Sequence, residues 1–306
     1  MGRFAARRIA QGLLVVLGVT IVVFVVTRLV GDPVDVLLPL EATAEQRAEF
    51  EHRLGFDRPI PVQFVDYLED LARLDFGESF WQHRPVMEIV LEHLPRTFTL
   101  VIPAMLLMVV LAVPLGVLAA LRPGGFLDRV TVVLSLIGLS IPQFWLGLLL
   151  ILVFAVELKL LPPLGGGSVK HMIMPVLTLA LPAVGRLAMI VRSSMIDELN
   201  QQYVKMALAK GIPFARVVGV HALRNAAIPA LTLSGWEFIR ALAGYSVIVE
   251  FVFQWPGVGF LAMQSIERQD LFLLQGIVFV VAVMVVVVNV IVDILYKAID
   301  PRIKLA

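Results

Sequence analysis

A long apolar stretch lies at residues 97–121, which read TFTLVIPAMLLMVVLAVPLGVLAAL without one charged side chain. A helix needs about 20 apolar residues to cross a membrane, because a rise of about 1.5 Å per residue must cover roughly 30 Å of hydrocarbon. The sequence predicts an all-α integral membrane protein, with one transmembrane domain over 1–306 and six transmembrane helices. The other five segments are 9–30, 130–156, 172–191, 229–253 and 273–296.

The composition agrees with a membrane protein. Hydrophobic residues make up 59% of the 306 residues and charged residues 16%, with a mean hydropathy of +0.91. An ordinary soluble domain is about 45–50% apolar and about 25% charged, so a soluble globule is excluded. The absence of cysteine excludes disulfide scaffolds, thiolate metal sites and thiol nucleophiles. A net charge of +1 gives no indication of a nucleic-acid partner.

Lysine and arginine are unevenly distributed among the loops between these segments. They are concentrated in the amino terminus, the carboxyl-terminal tail and the 122–129 and 192–228 loops, whereas the 157–171 and 254–272 loops contain few. Short cytoplasmic loops are enriched in Lys and Arg. Both termini are therefore predicted to be cytoplasmic, and the long acidic interval 31–96 is predicted to lie outside.

The outer segment 31–96 has the local signals of a folded, helical structure. Thr43 begins a capping-box pattern and Gly55 is placed for a carboxyl-terminal cap, which predicts a short helix between them. A second helix is expected to begin at Pro61, where apolar residues recur at helical spacing. A third is expected over 85–94.

Several kinds of chemistry are missing from the sequence. There is no Gly-x-x-x-x-Gly-Lys-Ser/Thr phosphate loop, so we expect any ATP to be handled by another subunit. The five histidines are scattered and form no pair suited to zinc. An intramembrane serine hydrolase is a weak alternative, because no histidine follows Ser234 to act as a base. We predict no catalytic residue, no cofactor and no metal site, and therefore no enzyme.

Proline in the middle segments favours them as the lining of a translocation path, although proline is also common in membrane helices that line no path. Non-helical backbone is tolerated at membrane depth only where protein or a water-filled cavity covers it. The first and last spans contain no proline and are expected to lie outermost. Glu237 and Arg240, three residues apart, either line the path or only pair with each other. Ser140 and Gln143 either contact substrate or make hydrogen bonds between helices.

The 192–228 loop contains the most informative sequence, YVKMALAKG at 203–211. Its pattern predicts a helix, a glycine break and a second helix. Ala207 and Ala209 keep the first helix slim, and Gly211 permits the left-handed backbone that ends it. A slim, basic helix pair between two spans is typical of a docking element for a partner protein.

Motifs along the whole chain resemble one family. The chain is similar to the permease subunit of bacterial ABC importers of the binding-protein-dependent type, in the dipeptide, oligopeptide and nickel group, and to the first of the two permeases. One departure is Lys205-Met206-Ala207, where other importers have Glu-Ala-Ala. Besides the loop, eight further motifs resemble features of this family. They are Gly31-Asp32-Pro33, Leu54-Gly55-Phe56-Asp57 with Pro59, Asp75-Phe76-Gly77-Glu78-Ser79, Pro85-Val86, Leu94-Pro95-Arg96-Thr97, Ser140-Ile141-Pro142, Trp255-Pro256-Gly257-Val258-Gly259 and Asp300-Pro301-Arg302.

The resemblance implies a type I ABC importer permease fold in the bacterial cytoplasmic (inner) membrane. It implies half of a path for short peptides, with four kinds of partner: a second homologous permease, two ATPase subunits that bind ATP and Mg, an extracytoplasmic binding protein, and the lipid bilayer. The 31–96 segment, with the 157–171 and 254–272 loops, is then the surface available to accept the binding protein. The implied ATPase-coupling surface consists of Tyr203, Ala207, Ala209, Lys210 and Gly211, with Arg224 and Asn225 holding the second helix.

Two alternatives remain at this point. An ion-coupled secondary transporter would work without ATPase partners and would need its own intramembrane ion site. Within the importer interpretation, the substrates are short peptides, glutathione-like peptides or chelated nickel, because selectivity in such systems usually resides in the binding protein.

Overall fold

The computed structural model describes residues 2–29, 43–55 and 57–299, and every regular element in these ranges is helical. The motifs at 31–33 and 300–302, together with Phe56, lie outside the described residues. The helices are α1 (Gly2–Leu29), α2 (Ala44–Leu54), α3 (Ile60–Ala72), α4 (Val86–Leu121), α5 (Phe126–Ser140), α6 (Gln143–Leu150), α7 (Val169–Leu199), α8 (Gln202–Ala209), α9 (Phe214–Arg216), α10 (Leu223–Arg240), α11 (Ser246–Phe253), α12 (Val258–Glu267) and α13 (Leu271–Ile299).

Three π-helical segments, Ile151–Glu157, Val217–Ala222 and Ala241–Tyr245, continue α6, α9 and α10 respectively. The chain forms two compact units. The first consists of the described residues up to Pro95 with Gly257–Val286. The second consists of Arg96–Pro256 with the described residues from Val287.

Local sequence signals determine both ends of α2. The Thr43 hydroxyl accepts a hydrogen bond from the Gln46 N–H at 3.3 Å, and the Gln46 side chain accepts one from the Thr43 N–H at 2.9 Å. Gly55 caps the other end with φ of +71°. α3 begins at Ile60, and Pro61 lies in its first turn, where a missing N–H costs no hydrogen bond.

The helix predicted over 85–94 is not a separate element. It is the beginning of α4, which runs for 36 residues from Val86 to Leu121 and includes the predicted span 97–121. An interior proline removes one backbone hydrogen bond and crowds the preceding turn, but the helix continues past Pro95. A helix of this length extends for about 54 Å, well beyond the roughly 30 Å of hydrocarbon.

A buried apolar cluster and a buried hydrogen bond organise the first unit. The Ser79 hydroxyl donates to the Asp270 carboxylate at 2.5 Å, and both residues are 1% exposed. The Arg268 guanidinium lies 4.4 Å from the centre of the Trp81 ring. The cluster includes Phe76, Val86, Ile89, Val90, Val258, Leu261, Leu273 and Ile277.

Three helices are long and apolar enough to cross a membrane without a break: α4, α7 and α13. They contain the predicted spans 97–121, 172–191 and 273–296. The predicted span 229–253 lies inside the helical run Phe214–Phe253. The first predicted span, 9–30, contains the shorter apolar stretch Ala10–Val26. By length and composition, the described residues hold three spans, or up to five when bent helix pairs are counted.

The segment predicted as one span at 130–156 is bent. α5 and Gln143–Glu157 meet at 102°, with the break at Ile141 and Pro142. A residue before proline avoids the helical conformation, and Ile141 is extended with φ of −79° and ψ of 122°. Pro142 was visible in the sequence, but its position inside an apolar run concealed the size of the bend.

Small residues allow close packing around α7 in the second unit. Ala112, Gly116 and Ala120 form a small-residue stripe on α4, and all three are buried. A Cβ atom at Gly116 would lie 2.7 Å from the carbonyl oxygen of Ala188 on α7. The helix backbones therefore approach more closely than any larger side chain would permit.

Candidate functional site

The predicted docking loop has a well-defined turn at Gly211. The Gly211 N–H donates to the Leu208 carbonyl at 2.9 Å, and the Ile212 N–H donates to the Ala207 carbonyl at 3.2 Å. This pair of bonds forms a Schellman motif, which requires a left-handed residue, and Gly211 has φ of +77°. Pro213 then caps the start of α9. The backbone matches the helix, glycine and helix pattern of the sequence.

Apolar side chains of the loop lie both on its buried side and on its exposed side. Beneath it, Val204, Val217 and Ala222 are buried and anchor α8 and the following π-helical segment. On its surface, large apolar side chains are exposed beside the small and basic residues that the sequence analysis named. The exposed set is Met206, Leu208, Ala209, Lys210, Gly211 and Phe214, with Ala207 half-buried. Exposed large apolar side chains close together in the sequence are what a surface for a partner protein would require.

Tyr203 and Asn225 hold the loop together. The Tyr203 hydroxyl donates to the Glu198 carboxylate at 2.5 Å. The Asn225 amide donates to the Tyr203 oxygen at 3.1 Å and to Glu198 at 3.3 Å. Burial, and then the hydrogen bond to Glu198, raises the pKa of Tyr203. Sequence reasoning missed Glu198, whose only signal is its place at the end of α7. Arg224 is exposed on the first turn of α10.

An ion pair between Arg192 and Asp128 lies next to the start of this loop. The Arg192 guanidinium donates to both carboxylate oxygens of Asp128, one of them at 2.8 Å, and Asp128 is buried. The Gly124 N–H donates to the same carboxylate at 2.7 Å. Arg192 was counted only as a loop charge in the sequence, but its role is to join α7 to the start of α5.

The structure brings Glu237 and Arg240 together, but the stronger partner of Glu237 is Arg186. Arg186 donates from Nε at 2.6 Å and from Nη2 at 2.7 Å to the two carboxylate oxygens. Arg240 Nη1 lies 3.7 Å from Glu237 Oε1. Sequence reasoning missed Arg186, although it was visible as a charge inside the predicted span 172–191.

Ser140 and Gln143 lie at the bend between α5 and α6. The Ser140 hydroxyl donates to the Leu136 carbonyl of its own helix at 2.8 Å. The Gln143 amide donates to the Thr178 carbonyl on α7 at 3.2 Å. The two residues therefore support the bend and its attachment to α7. Across residues 2–29, 43–55 and 57–299, no group of three or more His, Asp or Glu could hold a metal ion.

Family comparison identifies the kind of protein. Residues 1–101 match the amino-terminal model of binding-protein-dependent transport system membrane components, and residues 112–305 match the model of the inner membrane component itself. The chain belongs to the family of binding-protein-dependent transport system inner membrane components. It is therefore a multi-pass inner-membrane permease subunit of an ABC importer and not an enzyme, as the sequence analysis predicted. This membership decides against the ion-coupled alternative and the serine hydrolase.

Relatives match the permease over almost its full length. A probable peptide ABC transporter permease of Sinorhizobium fredii is 37% identical, covering 99% of this chain and 100% of the relative. The oligopeptide transport system permease AppB of Bacillus subtilis is 36% identical over the same shares. The glutathione transport system permease GsiC of Salmonella choleraesuis is 38% identical over 94% of each chain.

Solved structures show the fold. An inward-facing structure of the MetNI methionine ABC transporter aligns with a TM-score of 0.60 and 18% identity, covering 70% of this chain and 97% of that chain. The permease thus has the helical fold of this transporter type.

Proposed function

We propose that this permease is one of two membrane subunits of an ATP-driven importer of short peptides, and that it forms half of the translocation path. Support for the substrate class comes from full-length relatives named for peptide, oligopeptide and glutathione transport. The chain crosses the inner membrane six times with both termini in the cytoplasm, in accord with the distribution of Lys and Arg. Glutathione-like peptides belong to the same class, and chelated nickel is the remaining alternative.

The partners follow from this function. A second homologous permease forms the other half of the path, and two ATPase subunits bind ATP and Mg. The acidic 31–96 segment, with the 157–171 and 254–272 loops, receives a substrate-loaded binding protein. In the first unit, the buried Ser79 to Asp270 hydrogen bond orders part of that outer surface.

The observation that carries the proposal is the apolar patch on the 192–228 loop above buried anchors. Its apolar members are the exposed Met206, Leu208 and Phe214. Together with Ala207, Ala209, Lys210 and Gly211, they form the surface that we propose enters a groove on an ATPase subunit. The network of Tyr203, Asn225 and Glu198 braces the loop, and Arg224 lies on the same segment. Displacement of the bound ATPase therefore moves α7 and α10, to which the loop is attached.

A crosslinking experiment tests this assignment. Because the chain contains no cysteine, Lys210→Cys introduces a single thiol that can carry a photoactivatable crosslinker. The matched control is Lys170→Cys, also an exposed lysine, in the first turn of α7 and within the 157–171 segment assigned to the opposite side. We expect the Lys210→Cys variant to crosslink to the ATPase and the Lys170→Cys variant not to. Failure of the first, or ATPase capture by the second, would contradict the proposed coupling and orientation.

A further inference from the structure

The intramembrane cluster on α7 and α10 carries more positive than negative charge. Both oxygens of the Glu237 carboxylate are occupied by the Arg186 guanidinium, at 2.6 and 2.7 Å. Arg240 adds a second guanidinium, whose distance of 3.7 Å from Glu237 is longer than a hydrogen bond. One carboxylate therefore faces two arginines, and Arg240 is the one with hydrogen-bonding capacity to spare.

Arg240, which carries the excess positive charge, is also the most exposed of the three side chains. The Glu237 side chain is 1% exposed and the Arg186 side chain 19%, whereas the Arg240 side chain is 51% exposed. One turn earlier on the same face of α10, Trp236 is 61% exposed. One turn later, a Cβ atom at Gly244 would meet nothing within 4 Å. Arg240 thus lies on the surface of this chain beside an exposed aromatic ring.

Because Arg240 lies in a predicted transmembrane span, the membrane limits what can surround its exposed side chain. A charged side chain in the hydrocarbon costs about 2.5–3.5 kcal/mol on insertion scales, so intramembrane arginines face a protein or a water-filled cavity. Glu237 removes only part of this cost for Arg240, since its oxygens already accept hydrogen bonds from Arg186 and Arg240 lies 3.7 Å away. The exposed face of α10 around Arg240 is therefore unsuited to lipid, and in the assembled transporter it faces either the second permease or an aqueous path.

We propose that Arg240 binds the carboxylate of the peptide during its passage, with Trp236 packing against the neighbouring side chain. This inference rests on the proposed peptide function. A guanidinium has a planar array of donors that matches a carboxylate in two parallel hydrogen bonds. Glu237 at 3.7 Å partly neutralises Arg240 and so keeps the substrate carboxylate from being held too tightly. A transport site must release what it binds. Arg186 acts as a positioning residue that keeps Glu237 in place.

The test compares two probes that differ only in this group, trialanine and trialanine amide. The whole complex, with second permease, ATPases and binding protein, is reconstituted in vesicles. Each probe is supplied at a concentration that saturates the binding protein. We expect wild type to import trialanine faster than the amide. Arg240→Gln should reduce trialanine uptake about tenfold and leave amide uptake unchanged, since a hydrogen bond to a charged group is stronger than a neutral one.

Two further variants separate charge from structure. Arg240→Lys keeps the charge and should restore much of the trialanine uptake. Arg129→Gln removes another exposed guanidinium of the second unit, on α5, and should change neither probe. The proposal is overturned if wild type imports both probes equally, if Arg240→Gln slows both equally or neither, or if that variant loses the second permease. Absence of ATP-dependent uptake of any peptide by wild type would instead contradict the proposed function.

Discussion

Ser79 and Asp270 form a buried hydrogen bond between two distant parts of the sequence, at 2.5 Å. Asp270 also accepts from the backbone N–H of Trp81 at 3.3 Å and of Leu273 at 3.1 Å. The second of these bonds caps the start of α13, and the first holds the turn that follows Ser79. One carboxylate thus orders the 79–82 turn and the first turn of the last helix in the first unit.

Asp270→Ala should destabilise the purified permease by about 1–3 kcal/mol, because it leaves buried donors without an acceptor and removes a helix cap. Thermal unfolding of the detergent-solubilised complex measures this. Ser234→Ala is the control, since its hydroxyl donates only to the Ala230 carbonyl of its own helix. Equal melting temperatures for Asp270→Ala and wild type would contradict the structural role of this carboxylate.

Gly211→Ala should uncouple ATP hydrolysis from transport. A Cβ atom at this position meets nothing within 4 Å, so the effect comes from its φ of +77° alone. A left-handed conformation costs a non-glycine residue about 1–2 kcal/mol, and the loop would relax away from the Schellman turn. Peptide uptake and substrate-stimulated ATPase activity in vesicles measure the loss.

Gly219→Ala is the matched control for that variant. Gly219 also has open space for a Cβ atom, but it lies in a helical segment with ordinary φ. It should transport normally, and Gly211→Asn should lie between the two because asparagine tolerates this conformation. Gly211→Asp should abolish uptake while membrane insertion stays intact. Normal uptake by both Gly211→Ala and Gly211→Asp would refute the docking role of the loop.

Glu237→Gln should destabilise the second unit by about 3–5 kcal/mol, since it leaves the Arg186 charge without its carboxylate partner. The double variant Arg186→Gln with Glu237→Gln should recover part of this loss. Arg240→Gln should melt close to wild type, because its contact with Glu237 is longer and half-exposed. A larger loss from Arg240→Gln than from Glu237→Gln would reverse the assignment of partners.

Gly116→Ala should weaken the packing of α4 against α7 by about 1–3 kcal/mol, the usual result of adding atoms to a close-packed interface. The added Cβ would lie 2.7 Å from the Ala188 carbonyl oxygen, a backbone atom that cannot rotate away. Gly138→Ala is the control, because its Cβ would lie 3.6 Å from the Leu181 carbonyl oxygen, an ordinary contact. Unfolding temperatures that do not separate the two variants would contradict the close approach.

The raised pKa of Tyr203 makes a prediction about alkaline pH. A raised pKa means that the folded state favours the neutral phenol, so this stabilisation is complete below the ordinary tyrosine pKa of about 10 and is lost as pH rises above it. Tyr203→Phe removes the hydroxyl and this dependence. The stability difference between wild type and Tyr203→Phe should therefore shrink above that pH. A difference that stays constant or grows would contradict the raised pKa of Tyr203 and the burial and Glu198 contact that cause it.

Short-range signals predicted the local structure well. The capping box at Thr43 and the left-handed turn at Gly211 each depend on a few adjacent residues, and both have the predicted geometry. Apolar stretches predicted where long helices occur. The helix predicted over 85–94 was wrongly separated from the span that follows it, because Pro95 does not indicate whether the chain turns or continues as one helix.

Long-range pairing could not be read from the sequence. Glu237 and Arg240 are close along one helix, so spacing suggested their pair, but the bidentate partner Arg186 lies 51 positions away in the chain. The same applies to Asp128 with Arg192, and to Glu198 with Asn225. Which distant groups meet depends on how the helices pack. Helical periodicity shows which residues share one face of a helix, but it does not show which other helix packs against that face.

The break at Ile141 and Pro142 has an electrostatic consequence. The first N–H groups of α6 have no acceptor in the preceding turn, and the helix begins without a side-chain cap. Such groups carry the partial positive charge of a helix dipole, and hydrocarbon cannot solvate them. Pro142 and Phe144 are exposed at this point. Within a membrane these N–H groups therefore need a covering of protein or of water, and their partial positive charge sets the elbow apart from the apolar helices on either side of it.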